Sequence, residues 1–233
     1  MKLILFGANG KAGRRLTRQA LEAGHRVTAV TRHPDVFPLA HEHLDVVKAD
    51  VYVEDDVVKA VHGADAVLSM LGVPFSRDPI SIYSAGVANI VAAMRRHGVT
   101  RIVTVSSSAL DPRPHADGGI VLNRVLQPLI TRTIGKTTYA DMTAMETLLA
   151  DSDLDWTVLR PSGLFDAKTV SDYRLQEDHA DGIFTSRADL AACLLAQAGD
   201  RRWSGRRVAV TTTAGAPTLW QLIRREALGK SPE

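Results

Sequence analysis

The sequence predicts an α/β fold, a doubly wound parallel sheet in a single domain with helices on both faces. Three observations carry that prediction. Short apolar runs alternate with helically periodic stretches through the first half of the chain. The connections between them are short. A glycine cluster falls at the turn between the first apolar run and the first amphipathic stretch. Parallel strands joined by helices give this pattern, because right-handed crossovers lay the helices on both sheet faces and bury the strands on both sides.

Taken in order, residues 2–6 hold Leu3, Ile4, Leu5 and Phe6 and stop at Gly7, as a buried parallel strand does. Residues 11–23 place Ala12, Leu16, Ala20 and Leu21 at helical spacing, and Gly24 closes that helix. Residues 26–31 alternate with β-branched side chains and read as the second strand, and residues 44–48 as the third. A helix over 55–62 closed by Gly63, a strand over 66–70, a helix over 81–97 closed by Gly98 and a strand over 101–105 continue the alternation. The rhythm then breaks. Residues 110–136 carry Pro112, Pro114 and the pair Gly118-Gly119, then an apolar helix-like stretch through Val121, Leu122, Val125, Leu126, Leu129 and Ile130. Beyond it the pattern predicts a helix over 137–151, a strand over 156–159, an irregular segment over 161–182 and a helix over 189–198. A strand over 207–211 and a closing helix over 219–228, between Pro217 and Gly229, complete the series. Segments 110–136 and 161–182 read as small insertions on the substrate side of one domain spanning 1–233.

Composition narrows the function classes. Hydrophobic residues at 45% and charged residues at 23% are those of a globular chain, which excludes a disordered or fibrous protein. The longest mostly apolar stretch, 66–75, is too short to span a bilayer, and no secretory signal precedes the first strand, so no membrane partner is expected. Cys193 is the only cysteine, which excludes an intrachain disulfide and a four-cysteine zinc site and fits the cytoplasm. The formal charge of +2 is too small to argue for nucleic acid. The arginine pairs, Arg14-Arg15 among them, read as solvated helix faces and ends.

The glycine loop is the strongest local signal. Gly7, Ala8, Asn9, Gly10, Lys11, Ala12 and Gly13 sit between the first strand and its helix, spaced G-x-x-G-x-x-G. Glycines there allow a tight turn and close approach of backbone to a pyrophosphate, which the free N–H groups and positive end of the helix attract. An NAD site places a carboxylate at the end of the second strand to hold the ribose hydroxyls. Here that place holds Thr31, Arg32 and His33. The guanidinium of Arg32 suits the 2′-phosphate of NADP, and Lys11 lies within reach of the same group. The expected cofactor is NADP(H).

With these residues in view, the chain resembles the atypical short-chain dehydrogenase/reductases of the NmrA-like NAD(P)H-binding kind. The resemblance rests on Gly7 to Gly13, on Val30-Thr-Arg-His-Pro34, on Lys48-Ala-Asp-Val51 and Met70-Leu-Gly72, and on Val105-Ser-Ser-Ser108. It continues late in the chain in Asp155-Trp-Thr-Val-Leu-Arg-Pro-Ser-Gly-Leu164 and Thr185-Ser-Arg-Ala-Asp189. It implies a Rossmann-like fold with the cofactor along the carboxyl ends of the strands. It also implies Asp50 and Val51 near the adenine, Leu71 and Gly72 beside the adenosine ribose, and Ser106, Ser107, Pro161, Ser162 and Gly163 near the nicotinamide half.

Relatives that reduce carbonyls use a serine, a tyrosine and a lysine four residues after it. Here the candidate tyrosine is Tyr139, and position 143 is Thr143. Lys136 precedes the tyrosine instead. Without a nearby cation the phenol is expected to keep a pKa near 10 and to serve poorly as an acid-base group. Ser107 and Tyr139 are the only catalytic candidates. Three readings follow. One is hydride transfer to a flavin, a quinone or a similar conjugated acceptor that takes its proton from solvent. The second is a silent NADPH sensor acting on a protein partner, and the third is a carbonyl reductase.

Other residues carry plainer expectations. His41 and His43 fall in a polar loop, Cys193 among Leu190, Ala191, Leu194 and Leu195 reads as core, and Glu146 reads as a solvated helix position. Ser106 to Ser108 lack a nucleophile elbow, which argues against a serine hydrolase. The insertions, with Arg124, Arg132, Phe165, Tyr173 and nearby Phe184, are expected to roof the substrate pocket, with Gly118-Gly119 and Asp181-Gly182 as hinges.

Overall fold

Each apolar run of the first half of the chain becomes a strand of one sheet. This is a computed structural model, and it describes residues 1–76, 78–119, 123–124, 127–133 and 135–216. In chain order the elements are β1 (Lys2–Phe6), α1 (Lys11–Glu22), β2 (Arg26–Thr31), β3 (Leu44–Lys48), α2 (Glu54–Val61), β4 (Ala66–Ser69), α3 (Ser84–His97) and β5 (Arg101–Val105). They continue as α4 (Gln127–Arg132), α5 (Lys136–Ala150), β6 (Asp155–Pro161), β7 (Gly163–Phe165), β8 (Tyr173–Glu177), β9 (Phe184–Ser186), α6 (Arg187–Gly199) and β10 (Arg206–Thr212). The expected helix-like stretch through Val121, Leu122, Val125 and Leu126, and the closing helix over 219–228, lie outside the described residues.

The main sheet has the order β3-β2-β1-β4-β5-β6-β10-β8. Its first six strands follow the Rossmann order, and all pairings are parallel except that of β10 with β8. The order reverses between β1 and β4, where ligands of open α/β sheets bind.

β1 shows how the sheet divides the core. Leu3 and Leu5 point to the face covered by α1 and α6, while Ile4 and Phe6 point to the face covered by α2, α3 and α5. All four are at most 1% exposed. Burying each such side chain is worth about 1.5–3 kcal/mol. α1 presents Leu16, Ala20 and Leu21 to the core as its spacing predicts. α3 carries Arg95, Arg96 and His97 in its last turn, where positive charge suits the helix dipole, and ends at Gly98 with φ +67°.

The segment 161–182 is more regular than its sequence implies. It contains β7 and β8, and β6 itself runs on to Pro161. β8 escaped the pattern because it is an edge strand, Tyr-Arg-Leu-Gln-Glu, only partly buried and paired antiparallel to β10. Charged edge strands of this kind blunt further pairing and lose the apolar signature of a buried strand. β7 is three residues long, and its partner β9 arrives only at Phe184.

Candidate functional site

A cleft of about 700 Å³ runs along the carboxyl ends of the parallel strands, within the size range of ligand pockets. Its floor is the glycine loop. Gly7 turns at φ +73°, and a Cβ there would lie 2.3 Å from Met70 O. A Cβ on Gly13 would lie 2.2 Å from Gly7 O. Two of the glycines therefore serve backbone packing, closing the loop against β4 and onto the start of α1. Gly10 differs. A Cβ on it would meet only Gly7 O at 3.4 Å, so the backbone tolerates a side chain and its absence leaves the helix end open to the cleft. Arg14 Nε donates to Asn9 O and Oδ1 at 2.9 and 3.0 Å and fixes the loop's crest.

The chemistry of this floor fits a diphosphate. The first N–H groups of α1 have no partner within the helix, and its first turn carries no acidic residue. Gly7, Asn9, Gly10, Lys11, Ala12 and Gly13 all line the cleft. Ala8 is fully buried and packs beneath the loop beside Leu16.

At the β2 end Arg32 and His33 face the cleft, and Arg32 is exposed. Asp50, Val51, Leu71 and Gly72 line the same half. Asp50 has a local role too, for its Oδ1 accepts the N–H of Tyr52 at 3.0 Å in an Asx turn. Val51 packs against α3 at Gly86, where a Cβ would come within 3.1 Å of Val51 Cγ2.

At the other end Ser106 and Pro161 line the cleft, joined by Val73, Ile82, Met142 and Leu164. Among the described residues, Ser107, Tyr139, Ser162 and Gly163 are not part of this lining. Ser107 Oγ accepts the N–H of Ala109 at 3.2 Å and shares a side-chain hydrogen bond with Tyr139. The Tyr139 ring lies 5.8 Å from that of Phe75. Burial pushes its phenol above the usual value, with the Ser107 hydrogen bond partly opposing. Lys136 is exposed on the first turn of α5. Ser162 stitches loops together, its N–H donating to Thr185 Oγ1 at 2.9 Å and its hydroxyl to Gly182 O at 2.8 Å. Gly163 N–H donates to Ile183 O at 3.0 Å.

Glu146 corrects the sequence reading. It is 4% exposed rather than solvated. Its Oε1 accepts from Ser106 Oγ at 2.6 Å and from Arg160 Nε at 2.9 Å. Its Oε2 accepts from Arg160 Nη2 at 2.5 Å and from Arg207 Nε at 2.9 Å. Arg207 also lies 5.7 Å over the ring of Trp156. On α5, Glu146 shares a face with the buried Met142, Met145 and Leu149, so helical spacing marked its burial. Arg187, at the start of α6, lines the cleft and pairs with Asp166 at 3.3 Å; it lies in the Thr185-Ser-Arg-Ala-Asp189 motif, which the sequence reading gave no site role.

The two insertions bind each other. His179 Nδ1 lies 2.8 Å from Asp111 Oδ2, His115 Nδ1 lies 2.6 Å from Ala180 O, and Asp117 N–H donates to Asp181 O at 3.1 Å. The expected hinge segments are thus pinned to each other. No described residue of 110–136 lines the cleft, whereas Pro161 and Leu164 of the second insertion do. Phe165 and Phe184 pack edge to face at 6.3 Å in the core, and Tyr173 packs beside the sheet. Cys193 is fully buried, and burial pushes its thiol up to about 12, so it is an inert core residue.

Residues 7–201 match the NAD(P)H-binding family. An uncharacterized chloroplastic protein of Arabidopsis thaliana is 30% identical over 173 residues, covering 70% of this chain and 59% of the relative. An uncharacterized protein of Mycobacterium tuberculosis is 38% identical over 108 residues, covering 46% of this chain, and the match spans only 12% of that protein. Among solved structures, a short-chain dehydrogenase/reductase of Veillonella parvula in complex with NADP superposes with a TM-score of 0.74 at 19% identity, covering 91% of this chain and 95% of that one. ChuY, an anaerobillin reductase of Escherichia coli O157:H7, superposes with a TM-score of 0.74 at 22% identity, covering 94% and 100%. At these identities the superpositions speak to the fold, which they share.

Proposed function

Because the chain belongs to the NAD(P)H-binding family, we propose that it is an NADPH-dependent oxidoreductase passing hydride to a flavin, a quinone or a similar conjugated acceptor. The observation that carries the reading is the cleft itself. An open helix N-terminus lies at its floor, and the end of β2, Thr31-Arg32-His33, supplies a guanidinium where an NAD site has a carboxylate. Lys11 and the first N–H groups of α1 would hold the diphosphate, and Arg32 the 2′-phosphate. When bound, NADPH supplies a hydride from its nicotinamide ring.

The residues at the far end set what receives it. Val73, Ile82, Met142 and Leu164 form apolar walls that suit a flat ring better than a sugar. They would shield the acceptor from water and hold it against the cofactor, which is the positioning this chemistry requires. Neither catalytic candidate offers the cleft a proton. Ser107 is engaged by Ala109 and Tyr139, and the Tyr139 phenol, raised by burial, lacks a lysine four residues on. An acceptor that takes its proton from solvent fits this arrangement.

The same placement of Ser107 and Tyr139 outside the cleft lining favours a second reading, an NADPH sensor that does no chemistry and signals to a protein partner. NADPH consumption in the presence of FMN, menadione and an azo dye separates the two. Turnover of any of them supports the enzyme. Tight NADPH binding without turnover across the panel supports the sensor, and no binding of NADPH removes both.

A further inference from the structure

The buried cluster around Glu146 decides what Ser106 can offer the cleft. Ser106 follows β5 directly, is 4% exposed and lines the cleft. Both carboxylate oxygens of Glu146 are held by guanidinium N–H donors, so toward Ser106 it presents an acceptor. The 2.6 Å contact between Ser106 Oγ and Glu146 Oε1 therefore uses the single hydroxyl hydrogen of Ser106. What that oxygen can still offer a ligand is its lone pairs. It cannot stabilise an oxyanion or donate to a carbonyl, and it can accept from an N–H. Buried ion clusters of this kind add little stability over apolar residues of the same volume, which leaves orientation as the property this one supplies.

We propose that Ser106, with its hydrogen fixed by Glu146, reads the carboxamide N–H₂ of the nicotinamide and thereby sets the orientation of the ring. Glu146, Arg160 and Arg207 are positioning residues that act through Ser106. The proposal rests on the NADPH reading above. It makes Ser106 a specificity determinant for an amide donor, in contrast to Ser107, whose hydroxyl is engaged with Ala109 and Tyr139.

The test compares dissociation constants by calorimetry for three probes: NADP⁺, its 3-acetylpyridine analogue, which lacks the amide donor, and 2′-phospho-ADP-ribose, which lacks the ring altogether. The wild-type protein is expected to prefer NADP⁺ over the acetylpyridine analogue by about five- to tenfold, the size of one hydrogen bond. S106A should lose that preference while binding 2′-phospho-ADP-ribose like the wild type. E146Q, whose amide can donate to Ser106 and turn its hydroxyl toward the cleft, should narrow or reverse the preference. Because the readout is a ratio within one variant, a general loss of stability does not imitate it. An unchanged ratio in S106A, with all three probes bound, overturns the role of Ser106 and leaves the NADPH reading standing. Failure of every probe to bind the wild type overturns both.

Discussion

The carboxylate of Asp141, on α5, accepts the backbone N–H of Tyr83 at 2.8 Å, so one helix caps the entry of another. Its second oxygen accepts the N–H of Ser84 at 3.2 Å and also the Ser84 hydroxyl. α3 has no capping side chain of its own at Tyr83, and Asp141 is 6% exposed. Removing such a cap costs about 0.5–2 kcal/mol. D141A is therefore expected to unfold at lower urea concentration with an unchanged denaturant slope. D141N, which keeps one acceptor oxygen, should recover part of the loss. Tyr83 lines the cleft, so NADPH affinity should fall in D141A as well.

The three loop glycines should separate into two classes. G13A forces a Cβ to within 2.2 Å of Gly7 O, a contact that only backbone movement relieves, and should lose both stability and cofactor binding. G10A meets nothing closer than 3.4 Å and should melt within a few degrees of the wild type, yet bind NADPH more weakly because a methyl group enters the mouth of the diphosphate site. Circular dichroism melts beside calorimetric titrations distinguish these outcomes. Equal behaviour of the two variants would contradict the division.

Much of this was legible in the residues. The strands announced themselves because buried parallel strands are unbroken apolar runs, and β1, β2, β3 and β5 have the expected bounds. The glycine loop was legible because its physics is local, needing a tight turn, an open helix end and a guanidinium a strand away. For Glu146 the spacing on α5 marked a buried position, but the partners that let a carboxylate stay there were not legible. Its burial depends on Arg160 and Arg207, which converge on it only after β6 and β10 pair in the sheet. β8 was missed because Tyr-Arg-Leu-Gln-Glu is mostly polar, whereas β3, the other edge strand, shows Leu44, Val46 and Val47; β8 takes its place from pairing with β10. Elements defined within themselves could be read, and those defined by distant partners could not.

Arg32 should choose between the two nicotinamide nucleotides. It is exposed at the end of β2, where residues 31–33 carry no carboxylate. A charge-assisted hydrogen bond to a phosphate is worth about 1.5–3 kcal/mol before screening, so R32A should weaken NADPH binding about tenfold or more at low salt. NADH binding should stay within about twofold, because NADH carries no 2′-phosphate for the guanidinium to hold. Raising ionic strength should shrink the difference between wild type and variant. Equal losses for both nucleotides would place Arg32 elsewhere on the cofactor.

Asp111 should govern stability in acid. Burial pushes its carboxyl up, but hydrogen bonds from the Arg113 side chain and backbone and from His179 outweigh this and hold it at about 2, against an ordinary value of 3.8. A carboxyl depressed in the folded state contributes stability that is present above its unfolded value and disappears as pH falls toward the folded one. The contribution of Asp111 should therefore fade between pH 3.8 and about 2. Since the same group clasps the two insertions through His179, their junction should loosen in that window. Urea midpoints measured from pH 5 down to pH 2 should fall more shallowly for D111N than for the wild type.

Tyr139 gives the sharpest test of the proposal that the acceptor takes its proton from solvent. With its phenol raised by burial, it stays protonated through neutral pH and cannot act as a base there. Removing a residue that serves as general acid or base costs about 10²–10⁴-fold in rate. If the acceptor takes its proton from solvent, Y139F should keep NADPH-dependent reduction of FMN or menadione within about threefold, well outside that range. Its pH profile should match the wild type through neutral pH, since the phenol removed, raised by burial, does not titrate there. The ring that packs on Phe75 is retained, so Tm should change little. A loss of a hundredfold or more, with Tm unchanged, would make Tyr139 an acid despite Thr143 standing where a lysine would be needed.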